Sequence, residues 1–202
     1  MAFIRTANAV APPLPDDESV PAITQDGATI IVPYVFDDGA RGSENLTILA
    51  FDRAGAIVQR IPVVDVDNGP VAGGEAAKKK LYAAMKPILA MTELHRRDYR
   101  NETHGTYDGL TIVFSEWGTL IVSPKGAKPV RRSNRAWRTK PTRAQQAAMD
   151  KAHAAGEIEC FNRAKIGAVW IDVKRRAAVV YVAYHGNDSC WGSDGEPVVF
   201  TW

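Results

Sequence analysis

Apolar residues along this chain fall in short runs with the spacing of strands. Residues 29–36 (TIIVPYVF) are β-branched and aromatic, which predicts a strand. Pro33 within the run lacks a backbone donor, which predicts an edge position. Residues 46–51 (LTILAF) and 56–66 (AIVQRIPVVDV) flank Asp52, Arg53, Ala54 and Gly55. Glycine readily takes the left-handed conformation of such a turn, so the pair reads as a hairpin. Residues 110–114 and 119–122 repeat that arrangement around Glu116, Trp117 and Gly118. Two further runs, 166–173 and 177–184, join at residues 174–176, and residues 198–202 supply a last strand. The 166–184 runs show little strict alternation. They are expected to form a central hairpin covered on both faces, with 198–202 as its neighbour.

Two stretches have helical spacing. From Glu75 to Met91, Ala77, Leu81, Ala84 and Ile88 recur at three and four, giving one thin apolar stripe, and Pro87 should divide or kink it. A second helix is expected to begin at Thr142, where Gln145 stands at capping-box spacing, and to stop at Gly156. Its apolar face is Ala144, Ala148, Ala152 and Ala155, which buries little area. About eight strands and two helices without regular βαβ alternation predict an α+β fold. The expected form is a mostly antiparallel sheet built from sequential hairpins, with both helices packed on one face. Residues 1–25 carry Pro12, Pro13, Pro15 and Pro21 around Asp16, Asp17 and Glu18. They read as an extended arm, and residues 26–202 as a single domain.

Composition excludes some classes. The 202 residues are 46% hydrophobic and 24% charged. That is not the composition of a disordered chain, a collagen or a coiled coil. No apolar run approaches the ~18 residues of a membrane span. The formal net charge of +2 conceals an asymmetry. Between Glu116 and Asp150 there is no acid, but there are Lys125, Lys128, Arg131, Arg132, Arg135, Arg138, Lys140 and Arg143. The remainder carries 17 basic against 23 acidic residues. Pro124 and Pro129 argue against regular structure in this stretch, so residues 124–141 are expected to form an exposed basic segment.

Candidate chemistry is sparse. A hairpin closed by three residues, 174–176, would set Val173 opposite Ala177 and Ile166 opposite Tyr184. Continued outward, it would set Cys160 opposite Cys190, where a disulfide is geometrically possible. The bridge would close a loop of about thirty residues, stabilise the domain by ~3–4 kcal/mol, and place the protein in the periplasm or outside the cell. Two reduced thiols would instead fit the cytoplasm. The opening residues lack the apolar core of a secretion signal, because Arg5 interrupts it.

Residues 67–76 lie between a strand and a helix, and Gly69 and Gly74 have phosphate-loop separation. Glu75 and Ala76 stand where such a loop needs lysine and a hydroxyl, which argues against nucleotide. Asp65 and Asp67 resemble the opening of a calcium loop, but Gly69 and Pro70 break the pattern. His95, His104, His153 and His185 have no partner at metal-ligand spacing. Neither a metal nor a cofactor is therefore expected. His185 and Cys190 could form a nucleophile pair only if the thiol is unbridged. No nucleophile elbow surrounds Ser115, Ser123, Ser189 or Ser193.

Aromatic residues interleave with the basic ones: Tyr99, His104, Tyr107, Trp117 and Trp137. The densest grouping is Arg131, Arg132, Arg135, Trp137 and Arg138. The polyanion-binding set is accordingly Lys125, Lys128, Arg131, Arg132, Arg135, Trp137, Arg138, Lys140 and Arg143. The expected function is a non-enzymatic binding or assembly protein that uses its extended N-terminal arm, for a protein partner or self-assembly, and its basic surface segment. The alternatives are a polyanion or nucleic-acid binder through the basic segment, and a small Cys/His hydrolase.

Overall fold

A computed structural model describes residues 20–37, 44–65, 67–85, 88–96, 103–107, 109–157, 161, 163–185 and 195–202. Its elements are β1 (Ala22–Thr24), β2 (Thr29–Asp37), β3 (Glu44–Asp52), β4 (Ile57–Asp65), β5 (Gly69–Pro70), α1 (Gly74–Ala84), β6 (Ile88–Ala90), β7 (Thr92–Arg96) and β8 (His104–Tyr107). They continue with β9 (Leu110–Phe114), β10 (Thr119–Pro124), β11 (Val130–Ser133), α2 (Arg143–Ala154), β12 (Arg163–Asp172), β13 (Ala177–His185) and β14 (Gly195–Thr201). The class is broadly α+β with antiparallel pairing throughout.

The strands divide into three sheets. A six-stranded sheet has the order β5-β4-β3-β2-β1-β6. A central sheet runs β14-β13-β12-β7, and a third runs β11-β10-β9-β8. Along β13 and β14, successive side chains touch opposite neighbours. Ala178, Val180 and Val182 of β13, with Val198 and Phe200 of β14, pack against Leu110, Ile112, Leu120 and Val122 of the third sheet. Ala177, Val179, Tyr181 and Val199 face the other way, onto Ile23, Ile30, Val32, Leu49 and Phe51 of the six-stranded sheet. The far face of that sheet, with Ile31, Ile48, Ile61 and Val63, is covered by Leu81 and Tyr82 of α1. The layers are therefore helix, sheet, sheet, sheet. The continuous β-branched runs of β12 and β13 follow from burial on both faces.

The predicted single sheet with both helices on one face is thus replaced by a stack. Only α1 packs on a sheet, and its buried stripe is Gly74, Lys78, Leu81 and Tyr82 rather than the alanines. Gly74 has a specific reason to be glycine. A Cβ there would lie 2.5 Å from the Pro62 carbonyl oxygen, so its absence lets α1 lie directly on β4. No residue of α2 is buried among the described residues, and of its alanine face only Ala152 is half-buried. The helix ends at Ala84 and Ile88–Ala90 form β6, ahead of the predicted end at Met91; Pro87, expected to kink or divide the helix, lies outside the described residues.

Pro33 does not mark an edge. β2 lies between β1 and β3, but β1 stops pairing at Ala22 opposite Ile31, so Pro33 lies past its end and opposes only Ile48. Ala22–Thr24 are fully buried, and the sheet therefore takes in residues on the N-terminal side of position 26. Residues 1–19 of the arm lie outside the described residues.

The register of the central hairpin corrects the sequence reading. Asp172, not Val173, opposes Ala177, so the turn uses four residues, and Arg176 takes a left-handed conformation with φ of 54°. A bulge at Gly167 then adds a second slip, setting Ile166 opposite Val182. The placement of Cys160 opposite Cys190 depended on the unshifted register and loses its support. Both cysteines lie outside the described residues.

One end of the stack is clasped by arginines. Arg53 donates to the Gly27 carbonyl at 2.9 Å. Arg175 donates to the Gln25 carbonyl at 3.0 Å and pairs with Asp172 at 2.8 Å. Thr201 Oγ1 donates to the Arg53 carbonyl at 2.6 Å. These bonds join the β1–β2, β3–β4 and β12–β13 turns to the end of β14.

Phe200 is fully buried between the central and third sheets. Phe200→Ala is expected to cost ~3–5 kcal/mol in urea unfolding. Arg176→Gly should instead stabilise the fold by about 0.5–1 kcal/mol, since glycine relieves the left-handed backbone. A loss on Arg176→Gly would show that the side chain, not the backbone, decides at that turn.

Candidate functional site

The loop between β9 and β10 is closed tightly. The Ser115 amide donates to the Thr119 carbonyl at 2.8 Å, and the Thr119 amide donates to Ser115 Oγ at 3.0 Å. Gly118 sits at φ of 85°, and a Cβ there would meet the Asn134 carbonyl oxygen at 2.3 Å. Only glycine lets the end of β11 come this close, with the Asn134 amide donating to the Gly118 carbonyl at 3.0 Å. Trp117 is left at the tip with no layer above it and is 73% exposed, the most of any large apolar residue described.

The chain after β11 folds back beneath this loop. Trp137 is buried in the core between the third and central sheets, edge-on to Phe114 at 6.4 Å. Its Nε1–H donates to Glu196, which also accepts from Asn134 Nδ2 at 3.2 Å. Trp137 is therefore a structural residue and offers no stacking face, which removes it from the predicted polyanion set. Arg138 returns to the surface. Its carbonyl accepts from the Ala164 amide at 2.9 Å, and its guanidinium lies 6.0 Å from the centre of the Trp117 ring. Lys140 pairs with Glu116 on the same loop. Arg135 and Arg143 are exposed, and Arg143 opens α2 with no acid in its first turn.

The rest of the basic set is dispersed. Arg132 opposes Leu120 on the inner face of the third sheet, donates to the Ala54 carbonyl at 2.7 Å, and lies 5.8 Å from the Phe200 ring centre. It serves the fold. Arg131, one residue earlier, opposes Ile121 and is exposed on the outer face. Residues 130–133, expected to lack regular structure, form β11 because their alternation fits the edge of this sheet. Lys125 and Lys128 belong to the β10–β11 turn, where the Lys125 amide donates to the Gly109 carbonyl at 2.8 Å. β10 separates that end from Trp117 by roughly 17 Å at a strand's rise per residue. The eight cations thus form no single face. Two of them meet the Trp117 loop, Arg138 over the ring and Lys140 on Glu116, while Arg135 and Arg143 are exposed within five residues of these in the sequence.

The other motifs resolve as turn chemistry. Asp65 Oδ1 accepts from the Asp67 amide at 2.9 Å and from the Asn68 amide and Nδ2 at 3.0 Å, which closes the β4–β5 turn. Glu75 pairs with Lys78, itself buried against the sheet. An open cleft of about 510 Å3 is lined by Thr24, Gln25, Asp26, Ala28, Thr29, Ala84 and Met85. The Thr24 hydroxyl and then the Ala28 amide donate to the Asp26 carboxylate and hold its pKa below the usual 3.8. Both bonds lie within its own turn. Among the described residues no three His, Cys, Asp or Glu side chains converge to hold a metal ion. His104 is exposed on β8 opposite Val113, and His153 lies in the last turn of α2. The side chains of His95 and His185, with Cys190, lie outside the described residues. No described helix is long and apolar enough to cross a membrane.

The two tryptophans should behave oppositely. Trp137→Phe removes a buried donor from Glu196 and is expected to cost ~1–3 kcal/mol in urea unfolding. Trp117→Ala should change stability by no more than ~0.5 kcal/mol. Equal losses would mean that Trp117 is packed in solution. Comparison of the chain with family models, curated proteins and solved structures finds no match.

Proposed function

We propose that this is a non-enzymatic binding protein that engages an anionic strand, a single-stranded nucleic acid, at the Trp117 end of its third sheet. The observation that carries this reading is the exposed Trp117 ring with the Arg138 guanidinium over it; Arg135 and Arg143, exposed and close to Arg138 in the sequence, add to the cations available. An exposed indole offers a face on which a base can stack, and neighbouring cations neutralise phosphates. Arg143 at the start of α2 also places a cation where the helix dipole favours an anion, an arrangement that a bound phosphate would offset.

The test is anisotropy of a labelled oligo(dT) at several salt concentrations. Trp117→Ala is expected to weaken binding about tenfold, in keeping with base stacking on an aromatic ring. Replacing Arg135, Arg138 and Arg143 by alanine should lower the slope of log affinity against log salt by about 2, at ~0.7 per lost phosphate contact. Replacing Lys125 and Lys128, at the far end of β10, should leave the slope unchanged. Absence of binding by the native chain at low salt would defeat the reading. Equal effects from both basic groups would reduce it to diffuse electrostatics.

A further inference from the structure

The third sheet turns one face away from the stack, and that face begins at the Trp117 loop. Leu110, Ile112, Leu120 and Val122 point inward, so the residues between them on β9 and β10 point outward. The register sets His104, Val113, Ile121 and Arg131 in one outward row across all four strands. Two residues nearer the Trp117 loop, Thr119 opposes Ser133, with their hydroxyls 2.9 Å apart. Two residues on the far side, Thr106 opposes Thr111. No carboxylate stands in these rows among the described residues, and Glu116, the one acid of the β9–β10 loop, is paired with Lys140.

The donors and the apolar positions lie where one ligand chemistry uses both. Whichever of Thr119 and Ser133 donates to the other, the acceptor keeps its own proton for an outside oxygen. Arg131 adds an exposed guanidinium in the next row, roughly 7 Å along the strands. Beside it in that row, Ile121 is half-buried and Val113 is 39% exposed. A strand that alternates phosphates with bases covers both kinds of position. We propose that a single-stranded nucleic acid seated on Trp117 continues onto this face, its phosphates meeting Thr119, Ser133 and Arg131 and its bases crossing Ile121 and Val113 towards His104. The ligand rests on the reading above, and the face extends its site. From Arg131 to His104 the row crosses three strand spacings, about 14 Å. The path runs across the strands and leaves the far end of β10, with Lys125 and Lys128, unused.

The test titrates the full chain with an oligo(dT) of about 12 nucleotides, inside the usual range of single-strand site sizes. Arg131→Ala is expected to lower the slope of log affinity against log salt by about 0.7, one phosphate contact. Val113→Asp, which sets a carboxylate in the middle of the row, should weaken binding about tenfold. Because that change can also disturb β9, the native chain supplies a direct readout: the amide resonances of Val113, Ile121 and Arg131, with the Trp117 indole N–H assigned by its loss in Trp117→Phe. The oligonucleotide is expected to move all four. Movement of Trp117 alone, with an unchanged slope in Arg131→Ala, would overturn the path and leave the Trp117 reading standing. Movement of the three amides without Trp117 would support the face and defeat the Trp117 reading. No movement at saturating oligonucleotide would overturn both. Amide shifts that appear without oligonucleotide and track a concentration-dependent rise in sedimentation coefficient would assign the face to a second copy and overturn the proposal.

Discussion

Burial of the central sheet on both faces is the constraint from which the rest follows. Strands β12, β13 and β14 bury most of their described positions, with apolar residues on both faces. An antiparallel sheet with two such faces cannot leave one to water, since each exposed β-branched side chain forfeits ~1.5–3 kcal/mol of burial. The third sheet covers one side and the six-stranded sheet the other. The six-stranded sheet then has its own second face to hide, which α1 covers. The third sheet ends the stack because its outer row, His104, Val113, Ile121 and Arg131, tolerates water.

Stacking sheets sets a second requirement, that their ends be held in step. Arginines meet it by donating to turn carbonyls in other layers, as Arg53, Arg175 and Arg132 do. Guanidinium groups suit this role because several donors leave one planar head, while the stem packs over apolar neighbours. Arg132 shows both uses, with its head on Ala54 and its plane near Phe200. A cation read as available for a partner is thereby committed to the fold.

The same folding-back that buries Trp137 exposes Trp117. Trp137 fills the gap between two sheets, with Glu196 satisfying its indole N–H, and this anchor returns Arg138 to the surface beside the β9–β10 loop. Platform and anchor are thus one construction. α2 leaves from the same place with a complete capping box and no buried residue. Among the described residues its local cap gives it more support than burial does, which is unusual at twelve residues.

Local chemistry was legible in the sequence. The turns at Gly55 and Gly118, the capping box of Thr142 and Gln145, and the two-sided burial of the 166–184 runs rest on short-range spacing, which no distant contact alters. What lay beyond it depended on partners far along the chain. Short strands such as β1, β6, β7 and β11 have no period of their own and exist only because a neighbour offers an edge. Pro33 is tolerated in a strand with neighbours on both sides because β1 is too short to reach it, which leaves one side of that position unpaired. The bulge at Gly167 shifted a register that composition alone could not fix. Charge along the chain also said nothing about direction. Arg131 and Arg132 are adjacent, yet the pleat of β11 sends one to solvent and the other into the stack. The sequence by itself determined the turns, the caps and the buried hairpin, because these are decided within a few residues. Which tryptophan faces the solvent was decided by tertiary structure alone, because only a filled space between two sheets distinguishes Trp137 from Trp117.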